Sequence, residues 1–280
     1  MTSRSEKNKK YVDEINKEKT LHITKIVLQI LFVIIVIFAL IFLYGKFYEP
    51  KKLKTNEFII RDNNIPSDFN GIKILHFTDL LYGSNQNSLD KVSEEIKLIN
   101  PDIIIFTGNI ISENYQVNED EIKLLTAFFN DMPYTIGKYA VSGDKDNQNY
   151  HLIMENTDFI ILNNEIVPIY SRTNKINLIG INHDIVKEIK NDSEDYTITM
   201  INNYDEFSKY NLKSNLILAG HNLGGEIRIF NLPLLGLDKH LNTYYEENGS
   251  KIYISSGLGS IHNIRLMNKP SMNVYRLYNN

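Results

Sequence analysis

The sequence predicts an α/β domain preceded by one transmembrane helix. Five apolar, strand-like segments each end in a polar turn, helical patterns lie between the first of them, and a run of twenty mainly apolar residues precedes them all. Alternating strands and helices are typical of a largely parallel sheet covered by helices. Such sheets present their chemistry at the carboxyl ends of the strands, so we expect one site built from five strand-end loops.

The composition is that of a folded protein with one large domain and an appendage. The chain has 280 residues, of which 42% are apolar, and it contains neither Cys nor Trp. Disulfides and thiolate metal sites are therefore excluded. Residues 51–280 carry 22 basic and 29 acidic side chains, a net charge of −7. An acidic domain does not attract nucleic acid, so we expect no nucleic-acid partner.

Residues 26–45 form an uncharged apolar run whose one polar interruption is Gln29. As a helix, twenty residues rise about 30 Å, the thickness of the hydrocarbon core of a bilayer. A buried core helix would be shorter and would have a polar face. Residues 46–50 lack the small residues of a signal-peptide cleavage site. We therefore predict a single-pass protein of the cell membrane.

The remaining chain divides into a tail, a linker and a soluble domain. We predict a flexible or weakly helical tail at residues 1–25, a linker at 46–55 and the domain at 56–280. The tail contains seven basic residues, but several lysines also follow the apolar run. This small positive-inside bias favours a cytoplasmic tail and an extracytoplasmic domain.

The first half of the domain alternates strand and helix. The predicted elements are an edge strand at 57–61, a strand beginning at residue 72, a helix at 88–99 with Ser88 as its N-cap, a central strand at 103–106, a helix at 118–130, and a strand beginning at residue 139.

The second half contains little helix. We predict strands of a second sheet at 159–162, 166–170 and 176–181. Strands at 198–201 and 216–219 resume the strand-to-loop pattern, and strands at 252–255 and 274–277 close the sheet.

The residues after five of these strands carry the candidate site. They are Asp-Leu-Leu at 79–81, Gly-Asn at 108–109, Gly-Asp-Lys-Asp at 143–146, Asn-Asn at 202–203 and Gly-His-Asn-Leu-Gly-Gly at 220–225. In order and spacing they resemble the motifs of the calcineurin-like metallophosphoesterases, particularly a bacterial membrane-associated branch. Those motifs read Asp-x-His, Gly-Asp, Gly-Asn-His-Asp or Glu, a lone His, and Gly-His-x-His.

The resemblance runs from about Asn56 to the C-terminus and includes Gly257, Gly259, Arg265 and Pro270. It implies a four-layer α/β/β/α metallophosphoesterase-like sandwich after the transmembrane helix. In the family, the loops hold two metal ions that activate a bridging hydroxide and bind the phosphate.

The resemblance also assigns metal positions. One ion would be bound by the positions of Asp79, Leu81, Asn109 and Leu223, and the other by those of Asn109, Asp144, Asn202 and His221. Leu81 and Leu223 replace histidines and have no lone pair to donate, so we expect the first ion to be absent. The second set carries little charge, so we expect either no ion or one weakly bound divalent ion, Mn, Mg or Ca.

Lys145 stands where the family has a catalytic histidine. Lysine is a poor general acid near neutral pH, so we expect no catalytic function for it. We expect its ammonium instead to form a salt-bridge cluster with Asp79, Asp144 and Asp146. We also expect Leu81 and Leu223 to lie near each other, because an unfilled cavity would be destabilising.

Structural roles compete with these assignments. Taken alone, Asp79 is more commonly a strand-end cap than a ligand, and His221 is more commonly a structural hydrogen-bonding residue. We expect solvent or packing roles for the five histidines that lack a motif, which are His76, His151, His183, His240 and His262.

Two functions stay open. One is a membrane-anchored, catalytically impaired pseudo-phosphoesterase that serves as a binding or scaffolding module for a protein or a phosphorylated ligand. The alternative is a divergent one-metal phosphoesterase that uses Asp79, Asp144 and His221 on phosphate mono- or diesters at the membrane surface. Whether the chain is an enzyme stays open, because most metal ligands and the catalytic histidine are replaced.

Overall fold

The computed structural model describes residues 4–84, 88–146, 148–182, 189–191, 193–210, 212–230, 232–234 and 239–280. Its contacts divide the chain into two units, Met1–Tyr44 and Gly45–Asn280. The first unit belongs to the helix α1, Arg4–Phe47. By length and composition this helix is able to cross a membrane. It also includes described residues for which we predicted a flexible or weakly helical tail.

The second unit contains short helices and many strands. They are β1 Lys54–Arg61, β2 Lys73–Phe77, α2 Leu89–Ile99, β3 Ile103–Phe106, α3 Glu119–Asn130, β4 Gly137–Ala140, α4 Gln148–Met154, β5 Ile160–Ile161, β6 Glu165–Ser171, β7 Asn174–Ile181, β8 Thr197–Ile201, β9 Leu216–Ala219, β10 Arg228–Ile229, β11 Leu232–Pro233, β12 Tyr244–Glu247, β13 Ser250–Ile254 and β14 Ser271–Tyr278.

Two six-stranded sheets form the centre of this unit. The first has the strand order β1-β14-β2-β3-β4-β5 and the second β12-β13-β9-β8-β7-β6. Strands β2 to β5 run parallel, as do β7, β8, β9 and β13. Parallel strands end at the same edge of a sheet, which is why the polar loops after them gather there.

Two sheet assignments from the sequence are wrong. The predicted strand at 159–162 is β5, which pairs with β4 at the edge of the first sheet. The segment at 252–255 closes the second sheet, whereas the one at 274–277 lies inside the first, between β1 and β2. An apolar run of this length does not specify its partner strand, so the sequence alone did not determine which strands pair.

Side-chain alternation along the strands separates three packed regions. On β3, Ile104 and Phe106 face a cluster that includes Val92 of α2 and Phe129 of α3. Ile103 and Ile105 face the opposite way, into a cluster shared with the second sheet. A third cluster covers the outer face of the second sheet. These layers confirm the predicted four-layer α/β/β/α class.

The outermost layer differs in detail from the prediction. In the part of the chain that the structure describes, the second sheet is covered by the 3₁₀ helix Tyr204–Lys209 and by loops. Tyr204 and Phe207 of this helix pack on the third cluster. A short 3₁₀ helix and loops therefore form the fourth layer in the part of the chain that the structure describes.

Element boundaries agree closely with the sequence for the two amphipathic helices. Ser88 caps α2 by accepting from the Lys91 N–H, and Asn118 and Glu121 form a capping box at α3. The linker is shorter than predicted, because α1 ends at Phe47 and β1 begins at Lys54.

Candidate functional site

The five predicted loops meet at the carboxyl edge of the two sheets. Asp79 follows β2, Asn109 follows β3 and Asp144 follows β4, all in the first sheet. Asn202 follows β8 and His221 follows β9 in the second sheet. Hydrogen bonds connect all five side chains or their backbones. The sequence therefore placed these residues together correctly.

The Asn109 side chain is the centre of the site. Its amide nitrogen Nδ2 donates to Asp79 Oδ1 at 2.8 Å and to Asp144 Oδ1 at 3.1 Å. Asn202 Oδ1 is 3.4 Å from the same nitrogen. Asn109 is fully buried. One neutral amide thus joins two carboxylates and both sheets.

The two side-chain amides are held in this orientation by backbone groups. Asn109 Oδ1 accepts from the Lys145 N–H at 2.9 Å, so its oxygen points away from Asp79 and Asp144. Asn202 Nδ2 donates to the Thr107 carbonyl at 2.6 Å, which directs Asn202 Oδ1 toward Asn109. Each amide therefore presents one defined end to the site.

Asp79 is buried, and its second oxygen is also hydrogen-bonded. Asp79 Oδ2 accepts from the His221 N–H at 2.8 Å and from Thr78 Oγ1 at 3.0 Å. Burial raises the pKa of the Asp79 carboxyl, although Asn109, His221 and Thr78 favour its ionised form. Thr78 was not singled out in the sequence, but it directly follows β2 and precedes the acidic residue.

Asp144 is paired with two cationic groups. His221 Nδ1 lies 3.1 Å from Asp144 Oδ1, and Lys145 Nζ lies 3.6 Å from Asp144 Oδ2. Burial favours the neutral carboxyl, but His221, Lys145 and Asn109 outweigh it and lower the pKa of Asp144. Burial likewise opposes a charge on His221, but Asp144 and Asp79 raise the pKa of its imidazole above the ordinary value.

The predicted salt-bridge cluster around Lys145 is only partly correct. Lys145 pairs with Asp144, whereas Asp79 uses the donors of Asn109, His221 and Thr78. Asp146 accepts instead from the backbone N–H groups of Asn109, Ile110 and Gly143, at 2.7 to 2.8 Å.

Asp146 is the residue whose role the sequence reasoning missed. Its carboxylate ties the loop after β3 to the loop after β4. Burial raises its pKa to about 6, against the stabilising effect of the three N–H groups, and the charge of Asp79 adds to the rise. An acidic residue two positions beyond Asp144 was visible in the sequence, but its backbone partners were not.

Leu81 and Leu223 are both buried against one glycine-rich segment. A Cβ added at Gly257 would lie 2.6 Å from Leu223 Cδ2, and one added at Gly259 would lie 2.4 Å from Leu81 Cβ. The two leucines therefore pack on neighbouring glycines of residues 257–259, and direct contact between them stays a prediction.

The site loops share an unusual backbone conformation. Asp79, Leu81, Asn109, His221 and Leu223 all have positive φ, between 46° and 68°. Residues other than glycine rarely adopt this region, and a cluster of them is typical of functional sites rather than of ordinary turns. The loops thus retain a strained geometry although two of these five residues are leucines.

Comparison with known proteins finds relatives that are named metallophosphoesterases. An uncharacterized metallophosphoesterase of Bacillus subtilis is 27% identical over 258 residues, covering 84% of this chain and 88% of the relative. Uncharacterized metallophosphoesterases of Helicobacter pylori and Campylobacter jejuni are each 26% identical and cover 67% and 74% of this chain. The chain is thus similar to proteins named metallophosphoesterases, in agreement with the resemblance of its loop motifs to the calcineurin-like metallophosphoesterase family.

Other comparisons cover a smaller share of this chain. The chain spans only 54% and 59% of the Helicobacter and Campylobacter metallophosphoesterases. TT1561 of Thermus thermophilus and an archaeal phosphodiesterase each match 66% of the chain, with TM-scores of 0.37 and 0.35 and identities of 11% and 13%. They are covered over 89% and 84% of their own lengths. No family model matches the chain.

The donor set of this site does not fit a two-metal centre. A cation needs lone pairs directed at it, whereas Asn109 directs N–H groups toward Asp79 and Asp144. Leu81 and Leu223 offer no ligand atom at all. Among the described residues, no group of three or more His, Asp or Glu side chains is arranged to hold a metal. Binding of one weakly held ion stays a prediction.

The other histidines singled out in the sequence lie outside the group of five site residues, as far as the structure describes them. His76 is buried, whereas His151 pairs with Glu155 and His262 with the buried Glu226. His240 lies between Asp205 and Glu247, and its carbonyl accepts from Asn222 Nδ2 at 2.8 Å. His240 therefore supports the loop that carries His221. His183 lies outside the described residues.

Proposed function

We propose that the chain is a membrane-anchored pseudo-phosphoesterase, a metallophosphoesterase-family domain that serves as a binding or scaffolding module. The observation that carries this proposal is the Asn109 amide, which donates to Asp79 and Asp144 at 2.8 and 3.1 Å. In the family a bridging carboxylate and two cations meet here. An amide that bonds both carboxylates reduces their repulsion without any ion.

The chemistry available to the site also supports this proposal. Phosphoryl transfer depends on positive charge that stabilises the equatorial oxygens and on a group that protonates the leaving oxygen. The two cationic groups, Lys145 and His221, are both engaged by Asp144. Asp79 and Asp144 themselves repel a phosphate. The site is thus a rigid junction between loops, suited to holding a binding surface in shape.

Anchoring is supported by α1, whose apolar run is long enough to span a bilayer. The weak excess of basic residues before that run supports an extracytoplasmic domain. The domain then serves a protein or a phosphorylated ligand at the outer surface of the cell membrane.

A second candidate function, that of a one-metal phosphoesterase, rests on one contact. His221 Nδ1 and Asp144 Oδ1 are 3.1 Å apart, and Asn202 Oδ1 faces the same region. A single divalent ion would use these three groups after displacing the Asn109 amide. Such an ion would supply Lewis-acid chemistry for a phosphate mono- or diester at the membrane surface.

Hydrolysis assays separate the two candidates. The full chain, purified in detergent, is incubated with manganese and a generic phosphodiester or phosphomonoester, beside its His221→Ala variant. We expect equal background rates for both, because no hydroxide is activated. Turnover by the parent chain that the variant lacks would overturn the pseudoenzyme proposal and favour the one-metal phosphoesterase. A chain carrying L81H, N109D, D144N, K145H, N202H and L223H shows whether family ligands alone restore activity.

A further inference from the structure

An exposed apolar hairpin leaves the candidate site. Strands β10 and β11 pair antiparallel directly after the loop that carries Leu223. Phe230 is 86% exposed, Leu232 70% and Leu234 58%, and the neighbouring Met267 is 55% exposed. Soluble monomers seldom expose large apolar side chains in such a group, and groups of this kind mark interaction sites.

The backbone of this hairpin is unusual as well. Phe230 has a φ of 49° and Met267 a φ of 55°. Bulky residues are disfavoured in this left-handed region, and short hairpin turns normally place Asn, Asp or Gly there. The chain thus accepts strain at two positions whose side chains point into solvent, which suggests a partner that covers them.

Hydrogen bonds fix the base of the hairpin beside Gly45. The Arg265 N–H donates to the Gly45 carbonyl, and the Arg228 N–H donates to the Leu266 carbonyl. Ile227 and Leu266 form a parallel bridge. Hydrogen-bonded backbone segments lie about 4.8 Å apart. One spacing separates Gly45 from residues 265–266 and another separates them from Arg228, so the hairpin base lies about 10 Å from Gly45. Gly45 is the last residue of the apolar run 26–45.

The linker after Gly45 is docked on the same segment rather than free to swing. The Asn268 N–H donates to the buried Glu49 carboxylate at 2.8 Å. The last residues of α1, Lys46 and Phe47, and Tyr48 directly after it are of the basic and aromatic kinds typical of the lipid headgroup region. A linker held in this way keeps the hairpin base at a fixed, short distance from Gly45, the end of the apolar run.

We propose that the hairpin, residues 228–230 and 232–234 together with Met267, inserts into the headgroup region of the bilayer that α1 crosses. The proposal rests on the proposed anchoring, because Gly45 then lies at the bilayer surface. Interfacial segments bury apolar side chains about 5–10 Å into this region, a depth within reach of the hairpin. The partner is therefore the lipid surface itself.

Contact of the hairpin with lipid, in addition to the span of α1, also orients the candidate site. Arg228 Nη1 donates to the Gly224 carbonyl, and Asn268 Nδ2 donates to the Leu223 carbonyl, each at 2.6 Å. Seating the hairpin in lipid therefore holds the loop of residues 220–225 next to the bilayer. A ligand of the site then comes from the membrane surface rather than from bulk solution.

The absence of Trp from the chain gives a direct test. Phe230→Trp is introduced as the sole indole into the full chain, reconstituted in vesicles that contain lipids brominated near the headgroup. Leu98→Trp is the matched control, because Leu98 is 81% exposed on α2 and belongs to neither the hairpin nor the site. We expect a blue-shifted emission that lipid bromines largely quench for F230W, and a red-shifted, unquenched emission for L98W.

Other results would overturn the proposal. An F230W indole that stays unquenched while the chain remains in the vesicles shows that the hairpin does not enter lipid and that a protein must cover it. Equal quenching of F230W and L98W shows non-specific adsorption of the domain. If the chain itself leaves the vesicles, the anchoring has failed instead. Leu232→Trp is a second reporter should F230W fail to fold.

Discussion

At the scale of single residues, the site is organised by an amide where the family uses a carboxylate. Asn109 Nδ2 reaches Asp79, Asp144 and Asn202, and its Oδ1 is fixed by the Lys145 N–H. A carboxylate at this position would have no proton to share. It would need a cation to offset its repulsion from the two aspartates.

Asn109→Asp should therefore destabilise the folded chain strongly near neutral pH. A third ionised carboxylate would lie about 3 Å from Asp79 and Asp144, and an uncompensated buried charge costs about 3–5 kcal/mol. Asn109→Ala removes the same hydrogen bonds without adding charge, so its loss should be smaller, about 1–3 kcal/mol. Chemical denaturation followed by circular dichroism measures both. Equal losses at pH 7 would contradict the repulsion argument.

His76 gives a pH dependence that is independent of the site ligands. It is fully buried, its Nε2 lies 3.0 Å from Thr107 Oγ1, and its Nδ1 has no hydrogen-bond partner among the described residues. Burial lowers the pKa of its imidazole from 6.5 to about 3. The unfolded chain therefore binds a proton at this residue more readily than the folded chain.

The stability contributed by neutral His76 should be complete above pH 6.5 and should be lost as the pH falls from there through about 3. The slope attributable to this one group is at most about 1.4 kcal/mol per pH unit. His76→Gln keeps a polar group near Thr107 but does not titrate. Its free energy of unfolding should fall less steeply between pH 6.5 and 4 than that of the parent chain. Parallel curves would exclude His76 as a source of acid sensitivity.

At the scale of elements, the strand-end loops share a left-handed backbone conformation at polar and apolar positions alike. Leu81 and Leu223 have positive φ, as do the polar residues Asp79, Asn109 and His221. The two leucines fill their positions by packing on residues 257–259. The left-handed backbone of these loops therefore does not depend on a side chain that is able to bind a metal.

Leu81→Ala should behave as a core truncation. Leu81 is buried, so its removal should cost about 2–5 kcal/mol of unfolding free energy. The control Leu98→Ala removes an exposed leucine and should stay within about 0.5 kcal/mol of the parent. Thermal or denaturant unfolding distinguishes the two. If Leu81→Ala lowered the free energy of unfolding as little as the control does, the Leu81 side chain would contribute nothing to stability.

The sequence predicted elements and loop order better than contacts. Apolar periodicity located α2, α3 and the central strand β3, and the order of the loops brought Asp79, Asn109 and His221 together. The position of β5 was wrong, because a two-residue strand carries too little pattern to select a sheet. The role of Asp146 depends on three backbone N–H groups, which only the folded loops define.

The hairpin shows another limit of sequence reasoning. Phe230, Leu232 and Leu234 belong to a mainly apolar segment of the sequence, yet all three are exposed. Composition alone does not distinguish side chains that pack inside a domain from those that await an external partner. Exposure is a property of the packed chain, so no local pattern predicted it.

At the scale of the whole molecule, a domain held at one membrane by α1 and by the hairpin, as proposed, has one orientation relative to that membrane. The absence of Cys makes its orientation measurable with single cysteines. Asn280→Cys should react with a membrane-impermeant maleimide in intact cells, because the domain is expected outside. Lys17→Cys, in the tail, should react only after the membrane is permeabilised. The reverse pattern would place the domain in the cytoplasm.

The most direct test of the central claim is the metal content of the purified chain. The full chain and its His221→Ala variant are incubated with manganese in detergent, separated from free ion and measured by elemental analysis. The amide-centred network predicts no manganese in the parent chain above the level of the variant. A stoichiometric ion in the parent that His221→Ala removes would contradict the account and would make the one-metal phosphoesterase the better description.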